Sequence, residues 1–118
     1  DVDSFDREFN ALLDRAMTAV ADRPERVQVL SIPDWGQTPF GAACGRDLIQ
    51  VSAEIDAYNQ AIVQRCSRRR IALLDVTVLT RRHSADPRMH AEDGLHPSAA
   101  MYRLWAEALL CTGKFGRL

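Results

Sequence analysis

Val27-Gln28-Val29-Leu30-Ser31-Ile32 is short, rich in β-branched residues and nearly continuous in apolar character, which is how a strand buried on both faces reads. Pro33 ends it. A second run of the same kind follows at Ile71-Ala72-Leu73-Leu74-Asp75. Between them, residues from about Asp47 to Ser67 carry Leu48, Val51, Ile55, Tyr58, Ile62 and Cys66 on one face of a predicted helix. Upstream, Phe5, Phe9, Leu12, Leu13, Ala16 and Val20 recur at helical steps from about Ser4 to Ala21. Asp3 or Ser4 is the expected N-cap, and Pro24 lies beyond the end. A last helix is expected from about Ser98 to Cys111. The order helix, strand, helix, strand, helix calls for parallel strands joined by a right-handed crossover. The fold class is α/β.

Two apolar parallel strands need neighbours at their edges and helices on both faces. Two strands and three helices make about half of a doubly wound sheet. The expectation is therefore a carboxyl-terminal part of one domain, with further strands preceding Asp1. The missing cover would come from the amino-terminal half of the same protein or from a second copy lying along the sheet edge.

Composition narrows the function. The 118 residues carry 15 basic and 16 acidic side chains, a formal net charge of −1, so no chain-wide attraction to nucleic acid is expected. No run approaches the roughly 20 apolar residues that cross a bilayer. Cys44, Cys66 and Cys111 show no C-x-x-C spacing, which removes zinc-ribbon and thioredoxin readings.

Two loops stand out. Pro33 to about Arg46 is rich in Gly and Pro, and a polar stretch from about Thr80 to Pro97 shows little periodicity and is long for a plain connection. Asp93-Gly94-Leu95-His96-Pro97 closes the second. A histidine used as a base needs a partner that fixes its tautomer, and Asp93 can bend back across the Gly94 turn to Nδ1 of His96. The plain alternative is a turn at Asp93-Gly94 with His96 on the surface near a helix cap.

Other clusters read as structural. His83, His90 and His96 with Asp86, Glu92 and Asp93 match no metal-ligand spacing. Cys44 has no neighbour that would lower its pKa, so a loop or buried thiol is expected rather than a nucleophile. Arg65, Arg68, Arg69 and Arg70 at a helix end read as a solvated cap complementing the helix dipole. For Trp35 and Phe40 two readings stand: lining a substrate pocket, since their loop leaves the carboxyl end of a strand, or packing that loop down.

The Asp93-Gly94-Leu95-His96-Pro97-Ser98 stretch, leading into Ala99 to Leu109, resembles the last block of the SGNH hydrolases, the GDSL-type lipases and acylhydrolases. Val29-Leu30-Ser31-Ile32-Pro33-Asp34-Trp35-Gly36 is similar to a strand and substrate-side loop of that family. Ile55-Asp56-Ala57-Tyr58-Asn59-Gln60 resembles the helix that follows it, and Leu74-Asp75 the next strand. The resemblance implies a three-layer, flavodoxin-like parallel-sheet fold, with this chain holding its later strands and helices. It implies an ester hydrolase with a Ser-His-Asp triad, acting on a small-molecule ester without cofactor or metal. His96 would be the general base and Asp93 the residue that orients it. The family's Gly-Asp-Ser nucleophile block does not occur here, so the resemblance also implies that the isolated chain is inactive. The rival from another class is a non-catalytic α/β binding module.

Overall fold

The computed structural model describes residues 1–112. Five helices and two strands run in the expected order, with two additions. Helix α1 spans Val2–Ala19, strand β1 Gln28–Leu30, α2 Pro39–Ala43, α3 Leu48–Arg69, β2 Ala72–Leu74, α4 Val76–His83 and α5 Ala99–Cys111. The short α2 falls in the loop predicted from Pro33 to Arg46, and α4 fills residues 76–79, which the sequence leaves unassigned, and runs into the polar stretch that begins at Thr80.

The strands pair in parallel with Gln28 opposite Ala72, Val29 opposite Leu73 and Leu30 opposite Leu74. Ser31 N–H donates to the Leu74 carbonyl and carries the pairing one step further. Each strand is three residues long, shorter than its apolar run, because Pro33 and the Asp75 cap of α4 turn the chain away. Among the described residues the sheet has only these two strands, so each keeps one edge without a strand partner.

Alternate residues of a strand face opposite ways, and the two core clusters follow that rule. On one face Leu13 of α1 and Ile62 and Cys66 of α3 pack with Ile71, joined by Phe5, Phe9, Val29 and Leu73. On the other, Val76, Met101 and Trp105 pack with Leu74, Leu79 and Leu104. Helices α1 and α3 thus cover one side of the sheet and α5 the other.

Helix ends are set by side chains. Asp1, rather than Asp3 or Ser4, caps α1 by accepting from Asp3 N–H, and the helix begins two residues before the expected start. Asp47 caps α3 through Ile49 and Gln50 N–H, and Arg70 closes it in the left-handed region at φ 57°. Ser98 caps α5 by accepting from Met101 N–H, as its place in the sequence suggests.

Half of the arginine cluster departs from the solvated cap expected of it: Arg68 and Arg70 are exposed at the end of α3, but Arg65 and Arg69 turn to α1. Arg65 makes a two-pronged contact with Asp6, and Arg69 donates to Asn10 and Asp14 at 2.7 and 2.6 Å. These arginines fasten α3 to α1. The guanidinium of Arg65 holds the Asp6 carboxyl below its usual range.

Candidate active site

The carboxyl ends of β1 and β2 lead into a polar knot. Ser31 Oγ lies 3.0 Å from Asp75 Oδ1 and 2.7 Å from Thr77 Oγ1, while Asn59 of α3 donates to Thr77 Oγ1 at 2.8 Å and accepts from Ile32 N–H at 2.8 Å. Thr77 N–H also donates to Ser31 Oγ at 3.0 Å. This knot fixes the point at which the chain leaves β1.

Just beyond it, Asp34 is buried and gathers three elements. Its Oδ1 accepts Gly36 N–H, and its Oδ2 accepts from Ser52 Oγ at 2.7 Å and from Arg81 Nε at 2.8 Å. Arg81 in turn reaches Asp56 at 2.9 Å. Burial alone would lower the Arg81 pKa; hydrogen bonds to Asp34 and Asp56 more than offset it and raise it. The Asp34 backbone N–H donates to Thr80 Oγ1. The loop after β1 is therefore pinned to α3 and α4 from inside.

That loop forms a turn at Trp35–Gln37 and then α2, capped by Thr38. Gly41 makes the packing possible: a Cβ there would stand 2.6 Å from the carbonyl oxygens of Trp35 and Gly36. Trp35 and Phe40 approach with ring centroids 6.3 Å apart.

The polar stretch from Thr80 to Pro97 holds the end of α4 and a series of turns. After α4 a turn at Pro87–Met89 leads into a narrow loop, with His90 bridged antiparallel to Pro97. Ala91 N–H donates to the His96 carbonyl at 2.8 Å and Ser98 N–H to the Met89 carbonyl at 3.0 Å. Asp93 and His96 lie at the tip. Asp93 Oδ1 accepts the N–H groups of Leu95 and His96, both at 2.9 Å, and Oδ2 stands 2.5 Å from His96 Nδ1. The side-chain bond to His96, aided by the two backbone donors, holds the Asp93 carboxyl down at about 2. At neutral pH that carboxylate only accepts, so the shared proton belongs to Nδ1, and Nε2 of the neutral ring carries the lone pair.

The two loops meet. Phe40 N–H donates to the Gly94 carbonyl at 3.0 Å. Gly94 sits at φ 68°, and a Cβ there would come within 3.3 Å of Pro39. Between them lies a pocket of about 430 Å³, lined by Ile32, Trp35, Phe40, Met89, Leu95 and Met101 on its apolar sides and by His90 and His96 among its polar groups. That volume falls in the range of small-molecule sites.

A family model described as the GDSL-like Lipase/Acylhydrolase family matches residues 2–104. The chain belongs to that family. The matched span of this GDSL-like hydrolase includes both strands, the pocket loops, Asp93 and His96. No curated protein and no solved structure matches the chain.

Of the residues singled out from sequence, the structure brings Asp93 and His96 into contact and sets Trp35 and Phe40 in the wall of the same pocket as His96. Among the described residues no group of three or more histidines, cysteines, aspartates and glutamates is arranged to hold a metal ion. His90 instead contacts the Ser84 carbonyl, and Asp86 is taken by Arg88, which draws its carboxyl down to about 2. Cys44 is half-buried at the end of α2 and makes no hydrogen bond to His96. Sequence reasoning missed the Asp34–Arg81 anchor and the Ser31–Thr77–Asn59 knot. For the knot the available signal was Ser31 and Asp75 in otherwise apolar strand runs, which a buried strand tolerates only when they are bonded.

Proposed function

We propose that this chain supplies the base of a serine-dependent ester hydrolase, with His96 as general base and Asp93 as the residue that orients it. The observation that carries the reading is the 2.5 Å Asp93–His96 contact, which leaves a lone pair on Nε2 beside an apolar pocket. In the forward step Nε2 takes the proton of a serine hydroxyl as its oxygen attacks the ester carbonyl. The imidazolium then returns the proton to the departing alcohol, leaving an acyl-enzyme. A water activated by the same nitrogen releases the acid and frees the serine. Asp93 stabilises the imidazolium while staying ionised. Trp35 and Phe40 hold the apolar part of the substrate.

The nucleophile and the oxyanion donors belong, in this reading, to an amino-terminal part of the same three-layer, flavodoxin-like domain. Three features support it. Among the described residues no hydroxyl or thiol bonds to Nε2 of His96. Among the described residues the β1–β2 sheet keeps unpaired edges, and Leu30 and Tyr102 stay exposed. The Nε1–H of Trp105 is buried with no partner among the described residues, a state that costs on the order of 1–3 kcal/mol. A second copy along the open edge is the alternative source of cover.

The test is an assay of these 118 residues with p-nitrophenyl butyrate, alone and with the amino-terminal part added in trans. Alone they should be inactive; together they should hydrolyse the ester, and His96→Ala should abolish it. Turnover by the isolated chain would move the nucleophile into it. No turnover in any combination, with cooperative unfolding of the isolated chain, would favour the non-catalytic binding module.

A further inference from the structure

His90 lies in the wall of the pocket that also holds His96, and neither the base chemistry nor the fold uses its second nitrogen. Its Nε2 stands 2.8 Å from the Ser84 carbonyl oxygen. A carbonyl only accepts, so Nε2 carries the proton and the lone pair of the neutral ring is on Nδ1. Among the described residues nothing donates to that nitrogen. The ring is half-buried and its position is fixed twice, by Ser84 and by the antiparallel bridge between His90 and Pro97. The two histidines thus carry opposite tautomers: Nε2 of His96 and Nδ1 of His90 are the nitrogens left with a lone pair.

We infer that His90 is a specificity-determining residue, and that the substrate group entering the pocket is an apolar chain or ring bearing a hydroxyl or amide N–H that donates to His90 Nδ1. Ile32, Trp35, Phe40, Met89 and Met101 supply the apolar contacts for the body of that group. An oriented acceptor set among such walls, beside Nε2 of His96, is how small-molecule sites fix orientation. A substrate lacking the donor would displace water from Nδ1 and return nothing, which penalises it against one that has it. The inference rests on the pocket being the substrate's, but it needs no nucleophile, so binding alone tests it.

The experiment uses the intact gene product labelled with ¹⁵N-histidine and a set of octanamides, which mimic an ester without its ready hydrolysis. One is plain; the others carry a hydroxyl at successive carbons. At least one hydroxylated isomer should bind about fivefold more tightly than octanamide, the gain a single net hydrogen bond supplies. It should also shift the His90 Nδ1 resonance, which octanamide leaves in place. His90→Phe should erase the difference between octanamide and the favoured hydroxylated isomer, whatever it does to the affinity for octanamide itself. A gain that persists in His90→Phe, or no gain at any position, would overturn the role of His90 and leave the pocket reading intact. Failure of every octanamide to bind would overturn both. Should His90→Phe not fold, the resonance shift in the unmodified protein decides alone. Loss of ester hydrolysis with retained selective binding would sink only the catalytic reading.

Discussion

The Asp34 carboxylate has no exposed surface and meets Arg81, Ser52 and a backbone N–H, whereas that of Asp93 is half exposed and meets His96 and two backbone N–H groups. Both are aspartates in loops at the carboxyl end of the sheet, and both face a nitrogen base. They differ in what the partner can do. Arginine keeps its proton, so the Asp34 pair is a permanent tie between the β1 loop, α3 and α4. An imidazole can take up and release a proton, so the Asp93 pair can hold the ring in place and leave Nε2 free for the proposed base chemistry. Burial suits the tie, and access suits the exchange.

The sharpest way to break this contrast is to remove one partner from each pair. His96→Ala in the intact enzyme should lower kcat by three or more powers of ten, the scale of a lost triad member, with little change in melting temperature. Asp34→Ala should do the reverse. It leaves Arg81 with Asp56 and the Ser52 carbonyl, frees the Gly36 and Ser52 donors, and should cost roughly 3 kcal/mol in urea unfolding. A large stability loss from His96→Ala, or none from Asp34→Ala, would erase the distinction.

Gly94→Ala tests how the active loop is seated. Its positive φ and the approach to Pro39 should cost on the order of 1–2 kcal/mol and displace Asp93 from His96. Activity should fall while the Asp34 anchor stays unchanged, as read by the Arg81 Nε resonance.

The smallest effect is a titration. Asp93 is held near 2, below the roughly 3.9 of a free aspartate, so its bonds stabilise the fold above the free value. That contribution fades as pH falls through about 2. The Asp93 carboxyl carbon should titrate near that pH by NMR, and in His96→Ala its midpoint should rise toward the free value. A midpoint indifferent to His96 would mean that the backbone donors alone hold the carboxylate.

The contrast also explains what the sequence made legible. Asp93 and His96 are three residues apart in one turn, so their contact is local and readable. Strands β1 and β2 were legible as apolar runs, and α1, α3 and α5 as periodic faces. Helix α4 was not, because Val76-Thr77-Val78-Leu79-Thr80 is β-branched and too short to display a helical stripe; its one cue was Asp75 as a cap. Asp34 and Arg81 lie far apart in the chain, and nothing local announces their pairing. Arg65 and Arg69 of α3 were misread for a similar reason: only the packing of α1 against α3 brings Asp6 and Asp14 to them. The pocket draws its walls from the β1 loop, the segment around Met89 and His90, and the start of α5, so no single window of sequence contains it.

The central claim is that His96 serves a serine lying outside these 118 residues. The most direct measurement treats the intact gene product with a fluorophosphonate, digests it and locates the adduct by mass spectrometry. The account requires one labelled serine outside this chain, labelled at least a hundredfold more slowly in His96→Ala. An adduct on a serine within this chain, or labelling indifferent to His96, would contradict it.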